Sequence, residues 1–441
     1  MPMNARDAAL DALERCTRSG AWSASVLDNT IKKAELDSRD AALASRLFLG
    51  VLQNCDYCDF CLSRYYDKPM DRLEGKVRNI LRLGAYQLLF LDKIPPRAAV
   101  SESVDQCKRS GCARAAGLVN AILRRMAERK EAFPEVPGMG TAEYLSIRYS
   151  HPLWFVRRLM EVHGYAFTQS FLEKNNEVFP LSIQVNRLKV STAEYCRALS
   201  RKDIPFRTVE GVDGCLLLAG GKVTELPGFE EGLFYVQDLA ARVIAEAAGL
   251  KPGMRVLDAC SAPGGKSFAA AIAMENQGSV LSCDIHEKKL SLIESGARRL
   301  GIDIIQTRAR DAREEDAALL DAFDAVIADV PCSGLGVIGK KPEIRSKSEE
   351  EIRALPAIQR EILHRVSTFV KPGGVLIYST CTILPEENEA VVREFLGSHS
   401  HYAAEDFQVG PIQSHEGMYT FWPHVDGTDG FFAARLRRIN E

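Results

Sequence analysis

The chain has 441 residues, 46% hydrophobic and 26% charged, with 32 glycines and 19 prolines. That length spans two or three domains, each with a core of its own, and the composition excludes a disordered, collagen-like or staple-dependent chain. No apolar run reaches the roughly 20 residues of a membrane-spanning helix, and the start, MPMNARDAALDALERC, shows no basic leader followed by an apolar stretch, so the expected location is the cytoplasm.

Twelve cysteines lie scattered without the even spacing of a disulfide framework, and in the cytosol they are expected as free thiols. The net charge of −3 hides a basic tilt in residues 1–140, which carry 22 Lys and Arg against 18 Asp and Glu.

From Ala5 to about Arg129 apolar residues recur at helical spacing, as in DAALASRLFLGVLQN from Asp40, KVRNILRLGAYQLLFL from Lys76, AAVSESVDQCKRS after the Pro95-Pro96 stop, and AAGLVNAILRRMAERK from Ala115. This predicts an all-helical domain over residues 1–135. Arg124, Arg125, Arg129 and Lys130 gather on the last helix, as a solvated face or as contacts to nucleic-acid phosphates. Glu131–Glu143 is rich in Pro and Gly and reads as a linker. Residues 140–232 mix short helical and strand patterns, a small α/β segment.

Residues 233–441 then change period. MRVLDAC, SVLSCDI, IDIIQTRAR, FDAVIADV and GVLIYST read as strands separated by amphipathic helices, which predicts a parallel, Rossmann-like sheet closed by a hairpin, MYTFWPHV and GFFAARLRR. Ligands of such sheets sit at the carboxyl ends of the strands. The first strand runs into Cys260-Ser261-Ala262-Pro263-Gly264-Gly265-Lys266, whose glycines let backbone amides approach a ligand at a helix N-terminus. The spacing is neither that of the dinucleotide fingerprint nor that of the P-loop. Asp258, Asp284, Asp311 and Asp329 stand at four successive strand ends, and Asp284 is placed to accept both hydroxyls of a ribose. Taken singly, each is equally a helix cap or a surface carboxylate. Cys332, in Asp329-Val330-Pro331-Cys332-Ser333-Gly334, and Cys381, in Ser379-Thr380-Cys381-Thr382, follow adjacent strands, and a thiolate beside a nucleoside pocket suggests adduct-forming chemistry.

VLDACSAPGGK, ADVPCSGLG and YSTCTILPEENEAVV together resemble the signature of the RNA cytosine-C5 methyltransferases of the RsmB/Nop2 type. The amino-terminal segments DAALASRLFLGVLQN, ILRLGAYQLLFL and GLVNAILRR resemble the RNA-binding helical fold of the antitermination factor NusB. A NusB-like bundle joined to such a domain is similar to the Sun/RsmB family, bacterial enzymes acting on 16S rRNA. The resemblance implies S-adenosylmethionine as methyl donor and transfer to carbon 5 of a specific cytosine through a covalent cysteine adduct at carbon 6. Residue by residue it implies Cys381 as nucleophile, Cys332 in release of the adduct, and Asp329 near both cofactor and base. Cys260 through Lys266 would form the cofactor loop, with Asp284 on the ribose and Asp311 near the adenine. DNA cytosine methyltransferases use the cysteine of the Pro-Cys pair instead, which makes Cys332 the rival nucleophile.

With RNA as the implied substrate, free or in an early precursor, Lys340, Lys341, Arg345 and Lys347 become a candidate basic rim, and Arg124 and Arg125 candidate phosphate contacts. The alternatives are a tRNA or 23S rRNA methyltransferase of the same family, and a non-catalytic RNA-binding or transcription factor. Cys55, Cys58 and Cys61 echo an iron-sulfur run but lack a fourth cysteine, and no histidine spacing matches a zinc site, so no metal is expected. Nothing implies an oligomer or a membrane partner.

Overall fold

The computed structural model describes residues 3–19, 23–129 and 133–439, which form two compact units. The first contains the residues up to Glu177 together with Ile338–Glu349; the second contains Val178–Val337 and the chain from Glu350 onward.

The first unit is helical: α1 (Ala5–Ser19), α2 (Ser23–Ala34), α3 (Ser38–Gln53), α4 (Cys55–Ser63), α5 (Gly75–Phe90), α6 (Pro96–Arg109), α7 (Ala116–Ala127), α8 (Ala142–Tyr149) and α9 (Leu153–Lys174), the last broken at Gly164. The apolar helical spacing becomes one core, in which Ile80, Leu81 and Leu83 of α5 are buried with Leu13, Leu47, Phe48 and Leu123. Gly84 permits this approach, because a Cβ there would lie 2.4 Å from a methyl carbon of Leu123. Asp37 caps α3 by accepting the Asp40 N–H at 2.8 Å, and Pro96 opens α6 at its first position, where a missing N–H costs nothing. Cys58 and Cys61 on α4 are fully buried in the same core.

The compact unit does not stop at the Pro/Gly-rich linker. Ser150 at the end of α8 accepts the Tyr57 N–H, and the Arg148 guanidinium lies 4.8 Å from the Tyr57 ring centroid, so α8 is fastened to α4. Lys130, Glu131 and Ala132 lie outside the described residues.

The second unit holds two main sheets. β1 (Leu181–Val185), α10 (Thr192–Ser200), β2 (Phe206–Thr208), β3 (Cys215–Leu218) and β4 (Phe234–Val236) give an antiparallel sheet in the order β2-β3-β1-β4, with Ile183 opposite both Leu216 and Val236. Tyr195 and Leu199 of α10 fill its core with Ile183, Leu216 and Phe234.

After α11 (Leu239–Ala247) come β5 (Arg255–Asp258), α12 (Gly265–Ala273), β6 (Ser279–Asp284), α13 (Glu287–Leu300), β7 (Ile305–Ala309) and β8 (Phe323–Asp329). The chain then runs through α14 (Glu349–Ile352), α15 (Leu355–Ser367), β9 (Val370–Thr380), α16 (Glu389–Ser398), β10 (Tyr402–Ala404), β11 (Gln408–Val409), β12 (Ile412–Gln413), β13 (Met418–Phe421), α17 (Pro423–Asp426) and β14 (Phe431–Arg438). The large sheet has the order β10-β14-β9-β8-β5-β6-β7, and β13 also pairs with β14. Strands β5 to β9 are parallel, whereas β14 runs antiparallel to β9 and forms the expected hairpin with β13. Leu257, Val326, Leu376 and Tyr378 meet Ile362, Leu363, Val391 and Phe395 of α15 and α16 on one face. Among the described residues, no helix is long and apolar enough to cross a membrane.

Candidate active site

The chain leaves β5 for β6 and β7 on one side, then returns past β5 to β8 and β9 on the other. This reversal opens a crevice at the carboxyl ends of β5 and β8, the position where open parallel sheets bind ligands.

Asp258, at the end of β5, is fully buried. Its Oδ2 accepts the Ser267 hydroxyl at 2.6 Å, its Oδ1 is buried without a hydrogen-bond partner, and burial pushes its pKa up to about 7. Ser267 in turn shares a 2.7 Å hydrogen bond with Ser282. Asp258 therefore fixes the start of α12 from beneath. Above it, Gly264 adopts φ 110°, a left-handed conformation that caps α12 and that side chains resist. Asp284 holds the loop from the neighbouring strand: its Oδ2 accepts the Ala262 N–H at 3.1 Å and its Oδ1 the His286 N–H at 2.9 Å. Ser261 donates both its N–H and its hydroxyl to the Cys283 carbonyl. Burial drives the Cys260 thiol well above the ordinary range, so it stays protonated.

Lys266 is nearly buried, with its ammonium 2.7 Å from Asp329 Oδ2 and 5.4 Å from the Phe431 ring centroid. Ser379 donates its hydroxyl to Asp329 Oδ1 at 2.8 Å, tying β9 to β8. Asp311, after β7, is gripped by Arg313, whose Nη2 lies 2.6 Å from Oδ2 and whose hydrogen bonds hold the carboxyl below the usual carboxylate range.

The two cysteines come together. Cys332 Sγ and Cys381 Sγ are 3.2 Å apart, each partly exposed. The hydrogen bond with Cys381 comes first, ahead of burial, in raising the Cys332 thiol well above its ordinary range. Three polar side chains absent from the sequence expectations line this region: Gln359, Glu387 and Asn388, all buried. The signal for Glu387 and Asn388 was the string EENEAVV, and for Gln359 the string ALPAIQREILHRV, both of which helical periodicity reads as amphipathic.

The basic residues behave differently. Arg124 is exposed and ion-paired to Glu128 one turn on, while Arg125, also exposed, has its guanidinium 5.8 Å from the Tyr65 ring centroid. Lys340 and Lys341 are exposed in the segment carried by the helical unit. Arg345 is not part of a basic rim. Its Nη1 donates to the carbonyls of Gln53, Tyr149 and Ser150 and its Nη2 to Asn176 Oδ1 at 2.6 Å. Burial pushes its pKa down to about 9, which leaves it charged at neutral pH, and its Nη groups are engaged by these acceptors rather than by phosphate.

A glycine turn flanked by carboxylates on successive strands fits S-adenosylmethionine. The ribose hydroxyls need acceptors, which Asp284 could supply from its remaining lone pairs, and the carboxylates of Asp284, Asp311 and Asp329 at the strand ends have the sign that would suit a positive sulfonium and ammonium.

Comparison with known proteins agrees with this architecture. A family model described as "16S rRNA methyltransferase RsmB/F" matches residues 247–437, the NusB family residues 3–128, and an RsmF/B-like ferredoxin-like domain residues 151–224. The chain is 33% identical to "Probable ribosomal RNA small subunit methyltransferase B" of Bacillus subtilis and 32% identical to "Ribosomal RNA small subunit methyltransferase B" of Klebsiella pneumoniae, in each case over 98% of both chains. Among solved structures, "Crystal Structure of PH0851" matches with a TM-score of 0.82 and 26% identity, covering 99% of each chain. With a helical NusB domain, a Rossmann-like domain and relatives a third identical from end to end, the chain belongs to the RsmB/F family of S-adenosylmethionine-dependent rRNA methyltransferases.

Proposed function

We propose that the protein transfers a methyl group from S-adenosylmethionine to carbon 5 of a specific cytosine in 16S rRNA, through a covalent adduct between Cys381 and carbon 6. The observation that carries this reading is the 3.2 Å approach of Cys332 and Cys381 at the ends of β8 and β9, beside Asp329.

Carbon 5 of cytosine is a weak nucleophile. Addition of a thiolate to carbon 6 turns the ring into an enamine whose carbon 5 takes up an electrophilic methyl; loss of the carbon 5 proton then lets the ring expel the sulfur and regain its double bond. Two thiolates cannot coexist at 3.2 Å, so one proton stays between the sulfurs. Either sulfur can donate in this contact; with the Cys332 thiol raised well above its ordinary range, we read Cys332 as the sulfur that keeps the proton, Cys381 as the attacking sulfur and Cys332 as the group that handles a proton during release.

Cys260 through Lys266, Asp284 and Asp311 would hold the cofactor, which supplies the electrophilic methyl when bound. Asp329, fixed by Lys266 and Ser379, would face both cofactor and base. Reaching carbon 6 requires an unstacked cytosine, which favours a single-stranded or looped target in free rRNA or an early precursor. The names of the relatives support the small-subunit RNA, and exposed Arg124, Arg125, Lys340 and Lys341 are the proposed phosphate contacts. We place this activity in the cytoplasm, where ribosomal RNA is made.

The test is incubation of the purified protein with S-adenosylmethionine and protein-free 16S rRNA, with 5-methylcytosine mapped at single-nucleotide resolution. One modified site in the small-subunit RNA is the expected result. Modification only of tRNA or 23S rRNA in parallel reactions overturns the target, and no modification of any of them overturns the reading.

A further inference from the structure

A 3.2 Å contact between two reactive sulfurs on separate loops needs something to hold both loops, and the buried polar groups beneath them are arranged in two sets. On the Cys332 side, Glu387 Oε2 accepts the Ser333 N–H at 2.9 Å and a Gln359 Nε2–H at 2.8 Å. The same Gln359 amide donates to the Pro331 carbonyl at 2.9 Å. The residues immediately before and after Cys332 are thus pinned through one carboxylate–amide pair. On the Cys381 side, Asn388 Oδ1 accepts the Thr380 hydroxyl at 2.6 Å, and its Nδ2 donates to the Thr382 carbonyl at 3.1 Å. The residues immediately before and after Cys381 are pinned by one amide.

Glu387 and Asn388 are consecutive, 1% and 0% exposed, and their backbone is anchored by the Tyr378 hydroxyl, which donates to the Glu387 carbonyl at 2.6 Å. Two further bonds join the loops directly: Ser333 and Thr382 share a hydroxyl–hydroxyl bond of 2.7 Å, and the Gly336 N–H donates to the Cys381 carbonyl at 3.0 Å. Burying so many polar groups costs stability, the more so because Glu387 Oε1 and Gln359 Oε1 are buried without a hydrogen-bond partner, and an apolar filling would hold the loops less specifically.

We propose that Glu387 and Asn388 are positioning residues that divide the work between the sulfurs, Glu387 setting Cys332 for release of the RNA and Asn388 setting Cys381 for attack. The proposal rests on the adduct reading above and deepens it. The charge of Glu387 also raises the Cys332 thiol, in keeping with its place on the release side. Removing the Glu387 acceptor takes away its bonds from the Ser333 N–H and the Gln359 amide beside Cys332, while the Gln359–Pro331 bond and the Asn388 bonds remain.

The experiment follows the covalent protein–RNA complex on denaturing gels, together with single-turnover methyl transfer, using the full-length chain and 16S rRNA. Glu387→Ala should accumulate the complex about tenfold over wild type, and Asn388→Ala should form it about tenfold more slowly. Glu387→Gln, which retains an acceptor, should restore most of the release rate, and Asn388→Asp, which retains only the acceptor, should restore attack in part. In a Cys332→Ala background, Glu387→Ala should add nothing to the accumulated complex. Equal slowing of attack and release in both Ala variants, in proportion to their loss of thermal stability, overturns the division, as does wild-type behaviour in both. Where an Ala variant does not fold, the Gln and Asp variants decide by the same split. A Cys332→Ala protein that forms no complex overturns the adduct reading itself; one that forms it, with no split between Glu387 and Asn388 variants, overturns this inference alone.

Discussion

Lys266 Nζ lies 2.7 Å from Asp329 Oδ2, joining the first turn of α12 to the end of β8 across the point where the strand order reverses. The lysine side chain is 8% exposed and the Asp329 carboxylate is its ion-pair partner. Lys266→Met should cost about 2 kcal/mol in chemical denaturation, because Asp329 loses its ionic partner but keeps the Ser379 hydroxyl. The double variant with Asp329→Ala should be clearly less destabilised than the sum of the singles; additivity would show that the pair is not coupled.

The contact between Cys332 and Cys381 gives an opposite outcome for two similar substitutions. Cys381→Ala should form no covalent complex with RNA and transfer no methyl group. Cys332→Ala should trap the complex, since attack remains possible while release is impaired. Denaturing gels of each variant mixed with RNA and S-adenosylmethionine read this directly, and a complex trapped by Cys381→Ala would exchange the roles of the two sulfurs.

The strand ends were legible because β5, β6, β8 and β9 carry apolar runs, each closed by a chemically conspicuous residue: Asp258, Asp284, Asp329 and Cys381 can be found by period and position alone. Their differing fates could not be read, since Asp258 is sealed under the loop by Ser267 whereas Asp329 stays partly open. Glu387 and Asn388 were hidden because a buried acid and a surface acid look alike in a helical pattern. Arg345 was misread for a related reason. A guanidinium serves carbonyls and phosphates equally well, and its acceptors on Gln53, Tyr149, Ser150 and Asn176 are brought to it only by the fold.

Arg345 and Arg124 should accordingly respond in opposite assays. Arg345→Met strips a charged donor from three carbonyls and an amide oxygen, and a loss of about 3 kcal/mol is expected in the unfolding of the helical unit. Arg124→Ala removes an exposed ion pair whose side chains are 72% and 61% exposed, with a stability change expected within about 0.5 kcal/mol. If Arg124 meets a phosphate, its loss should lower the slope of log affinity against log salt by about 0.7 for single-stranded RNA. Unchanged slopes for Arg124→Ala and Arg125→Ala would remove this helix from the RNA contacts.

Asp258 supplies a pH dependence of definite sign. Its folded pKa is raised from 3.8 to about 7, first by burial and opposed by the Ser267 hydroxyl. The folded chain then holds a proton that the unfolded chain releases, so the contribution is complete below the unfolded value, declines as pH rises through the folded one, and is gone above it. The full span is on the order of 4 kcal/mol. Asp258→Asn mimics the protonated acid at every pH. Its stability relative to wild type should therefore rise between about pH 4 and about pH 7, measured as the difference between two denaturation series so that the other carboxylates cancel. A difference that stays flat across that window would mean that Asp258 is charged in the folded chain and that its second oxygen has found a partner.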